Sequence, residues 1–140
     1  MTKLSKDFSD FEFACGDGCG YDDIDPKLVE KLQCLRDLVG KPIVVTSGCR
    51  CHLYNKHIGG VIDSPHLEGI AADIQVEGMT PTTLSILANR IQYIRIGIYP
   101  VHVHIDIKPP NPSKYWIVKN NKYIYSGKEK DLNKFLKKNL

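Results

Sequence analysis

The sequence predicts an α+β fold in which a small, mainly antiparallel sheet packs against helices. Apolar residues recur at helical spacing over residues 28–39, whereas residues 71–76 are predicted as a strand that carries Asp73. Residues 101–107 alternate strictly between polar and apolar side chains, as a strand with one buried face does. The chain has 140 residues and no internal repeat, so we expect one domain over residues 1–140.

Three helices are predicted from their start and stop signals. Asp25 is a preferred N-cap residue, Pro26 suits the first helical position, and Gly40 ends the apolar periodicity of the first helix. Thr80 and the proline after it begin a second helix in the same way. A last helix is expected over residues 130–138. The residues expected to dock it on the core are Leu132, Phe135 and Leu136.

The strands are predicted from short runs rich in β-branched and aromatic residues. The first, residues 42–46, is expected to be buried because its centre is the apolar triplet Ile-Val-Val. Residues 54–64 contain two adjacent glycines and are expected to form a loop, with one helical turn at their start. The remaining strands cover residues 71–76, 94–99 and 101–107, and a hairpin of residues 115–118 and 122–125 turns at Asn120-Asn121.

Two short segments contain polar residues that suggest a catalytic metal site. One is the segment of residues 64–73, which contains a histidine and ends on an aspartate, and the other is the alternating strand of residues 101–107. Period 2 places His102, His104 and Asp106 on one face of that strand. Two histidines with one aspartate suit a catalytic zinc ion, which keeps one coordination position open for water. The pattern therefore points to a metal-dependent hydrolase.

Composition argues against several classes of protein. The net charge is only +3, and the lysines concentrated in residues 119–138 indicate a solvated surface or, as the alternative, attraction to a polyanion. No DNA- or RNA-binding motif accompanies them, so we expect no nucleic-acid partner. No apolar run approaches the roughly 20 residues that span a bilayer. Residues 1–7 lack the apolar core of a secretory signal, so we expect cytoplasmic synthesis and release by lysis or a holin.

The five cysteines allow several interpretations. Cys34 falls within the first helical pattern and is expected to be a small core residue. The other four form two close pairs, Cys15 with Cys19 in a glycine-rich loop and Cys49 with Cys51. Free thiols are the default for a cytoplasmic chain, whereas a structural zinc ion held by all four, or disulfides, are the alternatives.

Several motifs along the chain carry a resemblance to a known family. They are Ser-Gly-x-Arg, Tyr-Asn, Gly-Gly, S-x-H-x-x-G-x-A-x-D and V-H-x-D, in that order. Together they resemble the zinc D-alanyl-D-alanine carboxypeptidase family, which includes phage endolysins that cut the L-alanyl-D-glutamate bond of peptidoglycan. That family is similar in fold to the Hedgehog signalling domain. The resemblance covers about residues 5–108, which leaves residues 109–140 as a C-terminal hairpin and helix extension.

The resemblance implies a ligand set and an activity. By position in the motifs, His66, Asp73 and His104 would bind Zn²⁺, Arg50 would face the substrate, and Ser64 would hydrogen-bond a ligand or the substrate. The implied function is a zinc metallopeptidase that cleaves peptidoglycan stem peptides by attack of zinc-bound water, as a carboxypeptidase or an endolysin-type endopeptidase. We expect it to act on the cell wall as a monomer, without membrane insertion.

The chain departs from the family pattern at one catalytic position. Several members carry an acidic general base three positions before the last histidine ligand, and Val101 occupies that position here. His102 and Asp106 lie on the same predicted strand face as His104. We favour His102 as the catalytic residue, with Asp106 orienting the ligand histidine. The alternative function is a non-catalytic zinc-binding recognition module of the same fold.

Overall fold

Six strands form one sheet at the centre of the molecule, and the computed structural model describes residues 1–140. The strands are β1 (Val44–Ser47), β2 (Ala71–Gln75), β3 (Arg95–Ile98), β4 (Val103–Asp106), β5 (Tyr115–Lys119) and β6 (Lys122–Tyr125). Their order in the sheet is β1-β2-β4-β3-β5-β6. Every neighbouring pair is antiparallel except β3 with β5, which is parallel. The predicted α+β class with a mainly antiparallel sheet is confirmed.

Four α-helices accompany the sheet, and their ends obey local capping rules. They are α1 (Pro26–Val39), α2 (His52–His57), α3 (Pro81–Ala88) and α4 (Leu132–Asn139). The Asp25 side chain accepts a hydrogen bond of 2.8 Å from the Lys27 backbone N–H, and Gly40 ends α1 with φ at 73°. Both residues therefore act as predicted. The helix α2 begins two residues before the predicted turn because Cys51 caps it, its sulfur accepting from the Tyr54 backbone N–H.

The main core lies between the helices and one face of the sheet. It includes Leu28 and Leu32 from α1, together with Ile74, Ile96 and Ile105 from the central strands. Because side chains alternate along a strand, the neighbours of Ile105 on β4 turn to the opposite face of the sheet. The residues predicted to dock α4, Leu132, Phe135 and Leu136, are all buried, which confirms that prediction.

Two predicted core positions are wrong. The Val44 side chain on β1 is 54% exposed, and only Ile43 of the predicted apolar triplet is buried. The reason is the alternation along β1, since Val45 pairs with the core residue Ile74 whereas Val44 pairs with Gln75 on the other face of the sheet. Cys34 is exposed rather than buried. It lies about 120° around α1 from the buried Leu28, since six residues at 100° each bring it there.

The C-terminal segment after residue 108 is integrated into the sheet. Strand β5 pairs with β3 in parallel, and β6 folds back on β5 through a hairpin at Asn120 and Asn121. Both asparagines have positive φ, 52° and 61°, as the predicted two-residue turn requires. This segment therefore supplies two of the six strands. None of the helices is long and apolar enough to cross a bilayer.

Candidate metal centre

Three predicted ligands converge on the face of the sheet away from the main core. Asp73 on β2 lies directly opposite His104 on β4 in the antiparallel register, so their side chains are neighbours on one face. His66 comes from a short 3-10 helix, Pro65–Glu68, that precedes β2. Gly69 ends that helix with φ at 69°, and a side chain there would clash with the Asp23 backbone. This turn brings His66 to the same face as Asp73.

The spacing of the three side chains fits a tetrahedral metal ion. One carboxylate oxygen of Asp73 lies 3.2 Å from His66 Nε2 and 3.0 Å from His104 Nδ1. Zinc bonds of about 2.0–2.2 Å imply distances of roughly 3.3–3.5 Å between neighbouring ligand atoms. All three residues are buried, and their ligand atoms lie within 4.8 Å of one another. This group could hold a metal ion with little rearrangement.

Hydrogen bonds on the far ring nitrogens orient both histidines. His66 Nδ1 donates to the Gly48 carbonyl oxygen at 2.7 Å, which leaves Nε2 with a lone pair directed at the site. His104 Nε2 lies 2.7 Å from a carboxylate oxygen of Asp106, which leaves Nδ1 for the metal. Such partners fix the tautomer and the ring orientation of a ligand histidine. Asp106 therefore contacts His104 at the ring nitrogen that faces away from the other two ligands, and its orienting role stays a prediction.

Arg95 is a member of this network that sequence reasoning missed. Its guanidinium donates two hydrogen bonds of 2.8 Å to the fully buried Asp106 carboxylate. Burial by itself raises the pKa of Asp106, but hydrogen bonds from His104 and Arg95 outweigh it and lower that pKa below its ordinary value. Asp106 therefore stays ionised against the imidazole. The β3–β4 pairing places Arg95 opposite Asp106, and this register could not be read from either strand alone.

We expect Asp106→Asn to lower zinc affinity by about 10–100-fold, because the amide is a weaker acceptor for the His104 ring N–H. Competition with a chromophoric chelator measures this directly. The matched control is Asp63→Asn, since Asp63 is an exposed acid on the same cleft. Equal zinc affinity in the two variants would contradict the orienting role.

The ionisable side chains at the centre shift the pKa values of one another. Burial disfavours the ionised form of Asp73, yet hydrogen bonds from His104 and His66 hold its pKa well below the usual range. Burial likewise opposes the charged form of His104, but Asp106 and Asp73 raise the pKa of that ring to about 9. Burial lowers the pKa of His66. A metal ion must therefore displace a proton from His104, and Asp73 is already in its ligating form.

Arg50 is anchored at three points beside the ligands. Its Nη2 donates to the second carboxylate oxygen of Asp73 at 3.2 Å and its Nε to Ser47 at 3.0 Å. The third anchor is Asn55, whose side-chain oxygen accepts from Nη1 at 3.3 Å and whose amide donates to the Val61 carbonyl oxygen. Asn55 was not assigned from the sequence, although it is the asparagine of the Tyr-Asn motif. Arg50 is thus a preorganised cation at the mouth of the site.

His102 stands beside the three ligands at the edge of the cleft. Its Nε2 lies 3.7 Å from Asp73, and its ring stacks on Tyr99 at a centroid distance of 4.4 Å. Burial lowers its pKa, with the Asp73 charge opposing that effect, and the side chain remains 24% exposed. Val101, which occupies the usual acid position, is 69% exposed and does not line this cleft.

Ser64 acts locally on the turn that carries a ligand. Its hydroxyl oxygen accepts a hydrogen bond of 3.2 Å from the His66 backbone N–H and so caps the 3-10 helix. The residue is buried but also lines the cleft. The structure therefore brings together all seven residues expected at the site: Arg50, Ser64, His66, Asp73, His102, His104 and Asp106.

The metal centre lies in a cleft of about 730 Å³ with one aromatic side. Trp116 on β5 packs against Gly97, where any side chain would clash with the indole ring. Its indole N–H donates to the Tyr99 hydroxyl at 3.2 Å, next to the stacked His102. Tyr123 also lines the cleft, from the hairpin. The segment of residues 109–140 therefore contributes part of the site.

This fold and this centre define a metal-dependent hydrolase, since a buried His-Asp-His group beside a fixed arginine opens onto a cleft. Residues 6–108 match the model of the family described as Peptidase M15, and the chain belongs to that family. It is therefore a zinc metallopeptidase, and its substrate is a peptide. No curated protein gives a significant match to the chain. The family match ends before β5, so it does not include Trp116 and Tyr123 of the cleft.

Proposed function

We propose that this protein hydrolyses peptide bonds in the stem peptides of peptidoglycan, as a D-alanyl-D-alanine carboxypeptidase or as an endolysin-type endopeptidase. The observation that carries the proposal is the His66, Asp73 and His104 group, which adjoins Arg50 in an open cleft. Stem peptides are rich in carboxylates, and Arg50 supplies a fixed positive charge at that point. Action as a monomer, after release to the wall through lysis or a holin, belongs to the same proposal.

The chemistry divides between the ion and the side chains around it. His66, Asp73 and His104 would hold a zinc ion, which would lower the pKa of a water toward about 7 and would polarise the substrate carbonyl. Arg50 stabilises the negative charge that develops on the carbonyl oxygen, since its guanidinium is held in place before the reaction. His102 accepts a proton from the attacking water and passes it to the leaving amine. The aromatic side of the cleft excludes water from one flank of the peptide.

Digestion of purified peptidoglycan tests the proposal. The zinc-loaded protein is expected to release peptides or amino acids, and a chelator is expected to stop the release until zinc is restored. Free D-alanine as the product would identify a carboxypeptidase, whereas new amino termini within the stem would identify an endopeptidase. A zinc-loaded protein that binds peptidoglycan and releases nothing would instead favour the non-catalytic recognition module.

We expect Arg50→Ala to lower kcat/KM for peptidoglycan peptides by about 10²-fold, the effect of losing one preorganised donor to the developing oxyanion. Arg50→Lys is expected to recover only part of this loss, because a lysine cannot contact Ser47, Asn55 and Asp73 together. Steady-state kinetics on a soluble stem peptide measures both. The control is Arg90→Ala, an exposed arginine outside the cleft. Full activity in Arg50→Ala would remove this residue from the mechanism.

A further inference from the structure

A second cluster of ligating side chains lies apart from the metal centre. Cys15, Asp17 and Cys19 come from the glycine-rich loop near the N-terminus, and Cys51 comes from the N-cap of α2. Their ligand atoms all lie within 4.8 Å of one another. None of these residues lines the catalytic cleft, so the proposed peptidase mechanism makes no use of them.

The composition of this cluster differs from the four-cysteine zinc site considered from the sequence. Cys49 is buried in the apolar core and is absent from the cluster, so the hypothesis is wrong in including Cys49 among the four ligands. The reason is a change of direction after β1, where the Cys49 backbone N–H bonds to Phe13 and the Arg50 backbone N–H bonds to His66. Cys49 therefore faces the core, whereas Cys51 faces the loop. Asp17 takes the place expected for Cys49.

The distance between two sulfurs of the cluster matches a bound ion rather than a covalent bond. The sulfurs of Cys15 and Cys51 are 3.9 Å apart, and a carboxylate oxygen of Asp17 lies 3.1 Å from the Cys51 sulfur. Zinc–sulfur bonds of about 2.3 Å in a tetrahedral site place neighbouring sulfurs roughly 3.8 Å apart. A disulfide would require about 2.05 Å. The two sulfurs therefore already have the spacing of an edge of a zinc tetrahedron.

The backbone around the cluster is arranged to support thiolate ligands. The Cys51 backbone N–H points at the Cys15 sulfur, 3.5 Å away, and the Tyr54 backbone N–H points at the Cys51 sulfur, 3.4 Å away. Hydrogen bonds to the charged form of a group favour that form. The Cys19 backbone N–H holds one oxygen of Asp17 at 2.9 Å, which leaves the other oxygen to face Cys51.

The glycines of the loop make this convergence sterically possible. Gly18 and Gly20 have φ at 75° and 92°, the left-handed region that other residues rarely adopt. Gly16 lies against the ring of Tyr54, where a side chain would approach the hydroxyl oxygen within 2.6 Å. The loop is therefore shaped to bring three ligands from five consecutive positions to one point facing Cys51.

We propose that Cys15, Cys19, Cys51 and Asp17 bind a second, structural zinc ion. Three sulfurs and one carboxylate complete a closed tetrahedral site, and soft thiolate ligands select zinc over hard divalent ions. The ion connects the N-terminal loop to the residue that follows Arg50 and to the start of α2, which carries Asn55. It links Cys15 to Cys51, which are 36 residues apart, and so stabilises the segment that carries Arg50.

Metal stoichiometry of the full chain tests this proposal. The wild-type protein is expected to hold two zinc ions, and both Cys19→Ser/Cys51→Ser and His66→Ala/His104→Ala are expected to hold one. Cys34→Ser is the matched control, because Cys34 is exposed on α1 and outside the cluster, and it is expected to keep two. One zinc ion in the wild-type protein, lost on His66→Ala/His104→Ala, would overturn the second site.

Spectroscopy keeps the test decisive if a cysteine variant does not fold. Cobalt bound to the His66→Ala/His104→Ala variant is expected to show a thiolate-to-cobalt charge-transfer band, and X-ray absorption of its zinc form to show sulfur at about 2.3 Å. Only nitrogen and oxygen neighbours would overturn the proposal. So would three titratable thiols among the five cysteines of the unreduced, denatured wild-type protein, since they would indicate a disulfide.

Asp17→Asn examines the fourth ligand separately. It is expected to weaken zinc binding at this site in a chelator competition, and unchanged affinity would remove Asp17 from the ligand set. The second site does not depend on the proposed peptidase function. A protein that hydrolyses peptidoglycan but holds no cysteine-bound ion would contradict the second site alone. A protein that holds this ion but does not hydrolyse peptidoglycan would contradict the peptidase proposal alone.

Discussion

His66→Ala is expected to abolish peptidase activity together with zinc binding at the His-Asp-His centre. The substitution removes one of three ligands whose donor atoms are held within 4.8 Å. A bound metal contributes several kcal/mol of transition-state stabilisation. Since each 1.36 kcal/mol corresponds to a tenfold change in rate, the loss should reach at least about 10³-fold in kcat/KM. Kinetics on a soluble stem peptide and metal analysis of the same sample measure the two effects together.

The matched control for this variant is His57→Ala. His57 is an exposed histidine near the end of α2 and lies outside the ligand group, so its loss should change neither activity nor metal content. Thermal unfolding of the zinc-free forms separates loss of the ion from loss of the fold. Wild-type activity in a folded, zinc-free His66→Ala protein would contradict the assignment of this residue as a catalytic ligand.

His102→Gln is expected to lower kcat by about 10³-fold while zinc stays bound, because the amide cannot accept a proton from the attacking water. A positioned general base contributes typically about 10²–10⁴-fold. The ring lies within 3.7 Å of Asp73, yet it is not one of the three residues that fit the ion. The expected signature is therefore a fall in kcat with a nearly unchanged KM and full metal content. Activity within about threefold of the wild type would place the base elsewhere.

A second variant tests why the family's usual acid position is not used. Val101 is 69% exposed and lies outside the cleft, so a carboxylate at that position would not reach the attacking water. We expect Val101→Glu to leave the activity of His102→Gln at its low level. Recovery of activity in the double variant would show that position 101 can supply the base, and it would contradict the role given to His102.

The features predicted correctly from the sequence depend on contacts between near neighbours. The start of α1 rests on the Asp25 side chain and a backbone N–H two residues later, and its end rests on the left-handed Gly40. The hairpin turn rests on two adjacent asparagines with positive φ. The convergence of His66 with Asp73 required a turn between them, and the motif contained the glycine that makes it.

The features that were missed depend on which distant segments become neighbours. Alternation along β4 placed His104 and Asp106 on one face, but it did not reveal that β3 would bring Arg95 against Asp106. The same alternation did not predict that β5 would join β3 and direct Trp116 into the cleft. The exposure of Val44 depends on the pairing of β1 with β2, which places it opposite Gln75 rather than opposite the core residue Ile74.

By itself the sequence determined the helix ends, the hairpin turn and the residue types available for a zinc centre, because each depends on spacing over a few positions. Only the tertiary structure decided which cysteines meet, with Cys51 facing the N-terminal loop and Cys49 entering the core. It also decided that Arg50 would be held by Asn55 and Asp73. These contacts follow from strand order and loop packing, because both bring together residues that are far apart in the sequence.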